Sequence, residues 1–195
     1  MARDPKETLH RYLRVGREAM LWKLDGLSEY DVRRPMTPTG TNLLGLVKHL
    51  ATVEYDYFGI TFGRPHDEPL PWIADDAPPN ADMFATVTET RDDIVGLYGR
   101  ATAHADATIA ALDLDAEGRV PWWSDETNPV TLHWILVHVA TETHRHAGHA
   151  DVARELIDGT AGLRAAATNL PEGDAEWWAA YVARIEATAR AAAER

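Results

Sequence analysis

The chain contains no cysteine in its 195 residues. That absence excludes disulfides, thiolate metal ligands and a cysteine nucleophile carried by the protein itself. Any bound metal must be held by His, Asp or Glu, and any thiol chemistry must use a thiol brought in by a substrate. Positive charge is also scarce: 19 Lys and Arg stand against 31 Asp and Glu, a formal net charge of −12. So acidic a surface repels phosphate backbones and anionic lipids, and no Lys/Arg cluster offsets it, so neither nucleic acid nor a membrane is expected as a partner. No apolar run reaches the roughly eighteen residues of a membrane span. The opening "MARDPKETLH" has no apolar stretch behind its basic residue, which argues against a secretory signal and leaves the cytoplasm as the expected location. Strand-like alternation and internal repeats are missing as well.

What is present reads as helix. Hydrophobic residues make up 45% of the chain, enough for one globular domain over 1–195, with a core at about 5–160 and a helical extension at 161–195. Five helical segments are expected. Segment 5–27 carries Leu9, Leu13, Met20, Leu21 and Leu24 at three- and four-residue steps, with Gly26 near its end. Segment 41–60 is capped by Thr41 or Asn42, and 80–112 by an Asn or Asp at its start. Segment 128–159 ends at Gly159, and 174–195 is alanine-rich. Two long irregular connections remain. The first, 60–80, is proline-rich and of a length often found at functional openings; the second, 113–129, holds the Trp122–Trp123 pair. The expectation is an all-α four-helix bundle with long crossover connections and an additional C-terminal helix.

"HVATETHRHAGHADVARELIDG" (138–159) places four histidines within twelve positions. At about 100° per residue, His138, Glu142, His146 and His149 fall on one stripe, while His133 and His144 point away. Ile135 extends the stripe above, and Ala153 and Leu156 extend it below, so it reads as a core face with an ionisable insert. Burying such groups unpartnered costs several kcal/mol per charge, a cost that a divalent cation removes. Glu142 and His146, four residues apart, can share one ion, with a third ligand from another helix. His49 is that candidate, beside the apolar stripe Leu43, Leu46, Leu50, Val53 and Tyr57. Taken singly, a mid-helix histidine is more often a satisfied core residue, and a Glu-x-x-x-His pair also arises on surfaces. His138 and His149 are expected to support the ligands or to be ordinary polar residues of the core, not to bind the ion themselves.

"LLGLVKHLATVEYDYFG" (43–59) and "VTLHWILVHVATETHRHAGHADVARELIDG" (130–159), with the lengths between them, resemble the DinB-like superfamily and its actinobacterial DUF664 branch. The resemblance implies a four-helix bundle holding a metal through three residues, usually histidines, matched here by His49, Glu142 and His146. Glutamate replaces the commoner first histidine of the pair, an arrangement similar to that of the mycothiol-dependent maleylpyruvate isomerases. The activities implied are transfers and isomerisations using thiols such as mycothiol or bacillithiol. The expected function is therefore a metal-dependent S-transferase acting on a low-molecular-weight thiol and a small electrophile. Zinc suits a His₂Glu set first, with nickel, iron or manganese compatible. The rivals are a non-catalytic metal-binding stress protein and a metal-free bundle used for oligomerisation. Any self-association is expected to be a homodimer.

Trp72, Trp122 and Trp123 lie in the long connections, where they either roof a ligand pocket at one end of the bundle, plug that end or fill a subunit contact. Trp134, Trp177 and Trp178 are read as helical packing residues. Asp56 shares the His49 face, as an acceptor for its imidazole or as an exposed carboxylate.

Overall fold

The computed structural model describes residues 4–168 and 170–194. Helix α1 (Pro5–Trp22) starts where Asp4 accepts a hydrogen bond from the Lys6 amide, with Pro5 in the first turn. The short α2 (Glu29–Arg33) is capped by Ser28. Helix α3 (Leu43–Phe58) is capped by Asn42, whose side-chain oxygen accepts from the Gly45 amide at 2.7 Å. Helix α4 (Arg91–Ala111) opens with a reciprocal box between Thr90 and Asp93. Helix α5 (Leu132–Asp158) is capped by Thr131 and stops at Gly159, whose φ of +77° is the left-handed turn that favours glycine. Helix α6 (Ala175–Ala193) follows Asp174. A two-residue antiparallel ladder, β1 (Glu117–Gly118) with β2 (Val130–Thr131), closes the loop before α5.

Helices α1, α3, α4 and α5 form the bundle. The expected stripes fill its core: Leu13, Met20 and Leu24 from the α1 region, Leu43, Leu46, Leu50 and Val53 from α3, and Ile135 and Ala153 from α5. Helix α3 is buried over nearly its whole surface, which makes it the axis of the fold. One polar network crosses this interior. The Arg17 guanidinium donates twice to Glu54, at 2.7 Å each, and once to Asp106 at 2.6 Å; His10 also pairs with Asp106. Among the described residues, no helix is long and apolar enough to cross a membrane.

Four sequence expectations are corrected. The helix read over 80–112 begins at Arg91; residues 80–90 are a 3₁₀ turn (Ala81–Met83) and bends, and Asn80 stands at φ +60°. The capping box at Thr90 outcompetes the Asn–Ala–Asp start. Helix α2 was not expected, because five residues carry too little periodicity. Trp134 and Trp177, read as packing residues, are 47% and 42% exposed, and α6 contributes nothing to the core. Leu156, read as continuing a core stripe, is 65% exposed, because the core-facing side of α5 runs here through Ala153, Arg154 and Ile157.

Candidate metal centre

Helices α3 and α5 bring His49, Glu142 and His146 together at the edge of the bundle. One ligand atom from each lies within 4.8 Å of the others. The Glu142 carboxylate is the hub: Oε1 is 2.9 Å from His146 Nε2 and 3.8 Å from His49 Nε2. Atoms bonded at about 2.0–2.2 Å to one tetrahedral ion are about 3.3–3.6 Å apart, so changes of side-chain rotamer on the order of an ångström would bring the three donors onto one ion. The protonation state also fits. Burial, reinforced by the neighbouring His49, pushes the His146 imidazole below its usual range, so it is neutral and can donate a lone pair. A donor set of two imidazoles and one carboxylate suits zinc and leaves coordination positions for other groups.

The outer nitrogen of His49 has a partner that the sequence reading did not find. Asp82 Oδ2 accepts from His49 Nδ1 at 2.6 Å, and this hydrogen bond holds the Asp82 carboxyl below the usual range despite its burial. The bond fixes the tautomer that leaves Nε2 free to face Glu142. The role considered for Asp56 at this imidazole is therefore taken by Asp82, delivered by the 3₁₀ turn Ala81–Met83.

That turn docks on α3 through three neighbouring positions. Asn42 Nδ2 donates to the Met83 carbonyl at 3.0 Å. Lys48, 1% exposed, donates to the carbonyls of Ala81 and Phe84 and to Glu89, with its ammonium 4.1 Å from the Trp72 ring. At Gly45 a Cβ would lie 1.8 Å from the Met83 carbonyl oxygen, so only glycine permits this approach. We expect Asp82→Asn to weaken metal binding about 10- to 100-fold by removing the carboxylate behind His49. Gly45→Ala, one turn from His49, should do the same by lifting the turn. Zinc titration against a competing chelator checks both, and unchanged affinity in both variants would deny Asp82 this role.

The remaining expected residues divide. His138, one turn before Glu142, sits in an aromatic cluster, its ring 4.7 Å from Tyr57 and 5.0 Å from Trp123. Trp122 joins the cluster at 5.4 Å from Tyr57. The Asn128 side chain holds this loop by exchanging hydrogen bonds with both backbone groups of Val120. Trp122 and Trp123 thus pack on Tyr57, and Trp123 also on His138, one turn from Glu142. Trp72 does not join them: its indole donates to Thr52 and lies on Lys48. His149 Nδ1 stands 3.4 Å from His146 Nδ1, a long contact on the side away from Glu142. Burial pushes the Asp56 carboxyl up to about 6, with His49 opposing the rise.

Of the curated proteins compared with this chain, none matches. The family model described as Mycothiol-S-transferase matches residues 8–159, spanning all four bundle helices and the whole triad. The chain belongs to the mycothiol-S-transferase family, a DinB-like family.

Proposed function

We propose that this protein is a metal-dependent S-transferase that joins the sulfur of mycothiol, or a similar low-molecular-weight thiol, to a small electrophile. The observation that carries this reading is the convergence of His49 Nε2 and His146 Nε2 on Glu142, with His49 braced from behind by Asp82. Zinc is the metal we favour for this donor set. When bound, a divalent ion there lowers the pKa of a coordinating thiol and supplies a thiolate near neutral pH. The chain's own residues do the rest. His49, Glu142 and His146 would hold the ion, Asp82 orients His49, and the cluster of Tyr57, Trp122, Trp123 and His138 would supply apolar surface one turn from Glu142. Asp56, two turns beyond His49, has a carboxyl near 6, suited to accepting a proton close to neutrality. The lack of cysteine agrees with a nucleophile that arrives as cosubstrate. We place the protein in the DUF664 branch and expect an actinobacterial host.

The test is direct. Purified protein, metal-free and zinc-loaded, is incubated with mycothiol and a generic electrophile, and thioether formation is followed by mass. Zinc-dependent acceleration is expected. Equal rates for both forms and for the buffer would remove the enzymatic reading.

A further inference from the structure

The stripe that carries Glu142 runs back one turn to His138, where it meets a surface of partly exposed aromatic rings. Tyr57 packs on Trp122, Trp123 and His138, and Trp123 lies 6.2 Å from Trp134. Trp122 and Trp134 are 50% and 47% exposed, so each offers part of its ring to a ligand. The loop is fixed in advance, because the Asn128 side chain bonds to the backbone of Val120, Trp123 and Ser124. A ligand that stacks on Trp122 therefore has little ordering to impose. The polar atoms of this surface are without partners. The indoles of Trp22 and Trp72 donate to Leu163 and Thr52, whereas among the described residues nothing accepts from the indole N–H of Trp122 or Trp123 or from the Tyr57 hydroxyl. Thr141 and Thr61 bond to the backbone carbonyls of His138 and Asp56, but neither of those side chains has a hydrogen-bond partner among the described residues. Both side chains also stand within electrostatic reach of the triad. Burial lowers the His138 imidazole and Glu142 opposes it; burial raises the Asp56 carboxyl and His49 opposes it.

We infer that this surface is the saccharide subsite for the thiol: a polyhydroxylated ring stacks on the aromatic rings around Trp122, Asp56 and His138 bond its hydroxyls, and the sulfur reaches the triad. The assignment rests on the S-transferase reading. The mixture of unpartnered donors and acceptors selects the occupant. An ammonium group uses only acceptors and would leave the indole and phenol hydrogens unpaired. An anion uses only donors and would be repelled by Asp56 and Glu142. Hydroxyl groups do both, and the C–H face of a sugar ring covers aromatic carbon. Distance agrees with this choice. His138 precedes Glu142 by about 6 Å along α5. In mycothiol an acylated cysteine separates the sulfur from the first sugar ring by about five bonds, roughly 6 Å.

Two thiols that differ in the sugar test this with the zinc-loaded full chain and chloroacetamide: mycothiol, and N-acetylcysteine amide, which has no saccharide. With either thiol the sulfur forms a bond to the chloromethylene carbon, the C–Cl bond breaks, and chloride leaves with the bonding pair. The thiol proton passes to solvent. The parent chain should favour mycothiol in kcat/KM. In Trp122→Ala that preference should fall about tenfold, chiefly through the KM for mycothiol, as expected for the loss of one stacking ring. Trp122→Phe should keep most of the preference, because a ring remains. Calorimetry with thiol-free N-acetylglucosaminyl inositol reads the subsite without turnover or metal, with binding to the parent chain and about tenfold weaker binding to Trp122→Ala. Equal use of the two thiols, together with no saccharide binding, overturns the subsite and leaves the S-transferase reading intact. No transfer from either thiol removes that reading, and the subsite with it. A parent dimer that Trp122→Ala dissociates, with saccharide affinity unchanged, would show the surface to be a contact between copies, which also overturns the proposal.

Discussion

His146→Ala is expected to abolish zinc-dependent thiol transfer while leaving a folded chain. Removing the carboxylate behind a metal-bound histidine costs about 10- to 100-fold in metal affinity, and removing the histidine itself should cost more. The centre would retain only His49 and Glu142, on two different helices. The fold should survive. His146 is 7% exposed but lies at the bundle edge, so truncation costs about 1–3 kcal/mol from a total of about 5–15. Glu142→His is the informative companion. It keeps three ligands and restores the commoner triad, but raises the charge of the centre by one unit. Metal retention with slower turnover is expected. The measurements are zinc content, circular dichroism, and transfer rate at matched metal occupancy. Full activity in His146→Ala at confirmed metal loss would rule out thiol activation at this centre.

Arg17→Met is expected to give the largest loss of stability, about 3–5 kcal/mol, with the metal centre intact. Glu54 is fully buried and both its oxygens are occupied by Arg17. Removing one partner of such a pair leaves an uncompensated charge in the core. Burial already pushes the Glu54 carboxyl up, and Arg17 is the main group that opposes this, ahead of His10. Without Arg17 the folded chain holds the Glu54 proton to higher pH than the unfolded chain does. The folded state then binds more protons than the unfolded state between those two values, so stability falls as pH rises through that window. The loss in Arg17→Met should therefore be largest near about pH 8 and smaller near about pH 5. Arg17→Met/Glu54→Leu should recover most of it, because the fully buried carboxylate leaves with its partner, while the part-buried Asp106 keeps His10. Urea unfolding at the two pH values reads the effect. A loss independent of pH and unrelieved by the second substitution would assign it to packing.

Helix α5 explains why part of the centre was legible. Helical periodicity is local, so the common face of His138, Glu142, His146 and His149 follows from spacing alone, whatever packs against it. The caps at Asn42 and Gly159 are equally local, since each is a side chain or a backbone angle acting within a few residues. The choice of His49 needed one further step, that a histidine beside an apolar stripe lies at a helix interface, and the structure brings it to Glu142. The start of α4 was misread because Asn80 and Thr90 both resemble caps, and the choice between them depends on Lys48 drawing the carbonyls of Ala81 and Phe84 onto α3.

The sequence by itself therefore determined the helical class, the faces of the long helices and a donor set free of thiolates. Only the tertiary structure decided which distant elements meet. Asp82 lies 33 residues from His49 and follows a connection with no periodic signal. It reaches the imidazole because Gly45 has no side chain to hold the turn away. Lys48 is buried because backbone carbonyls and an indole ring replace its water. Leu156 shares its stripe with Ala153, yet one is exposed and the other buried. Periodicity gives a residue its angle on the helix, but which angle faces the core is set by contacts between segments far apart in the chain, and here that side carries Ile157 and not Leu156.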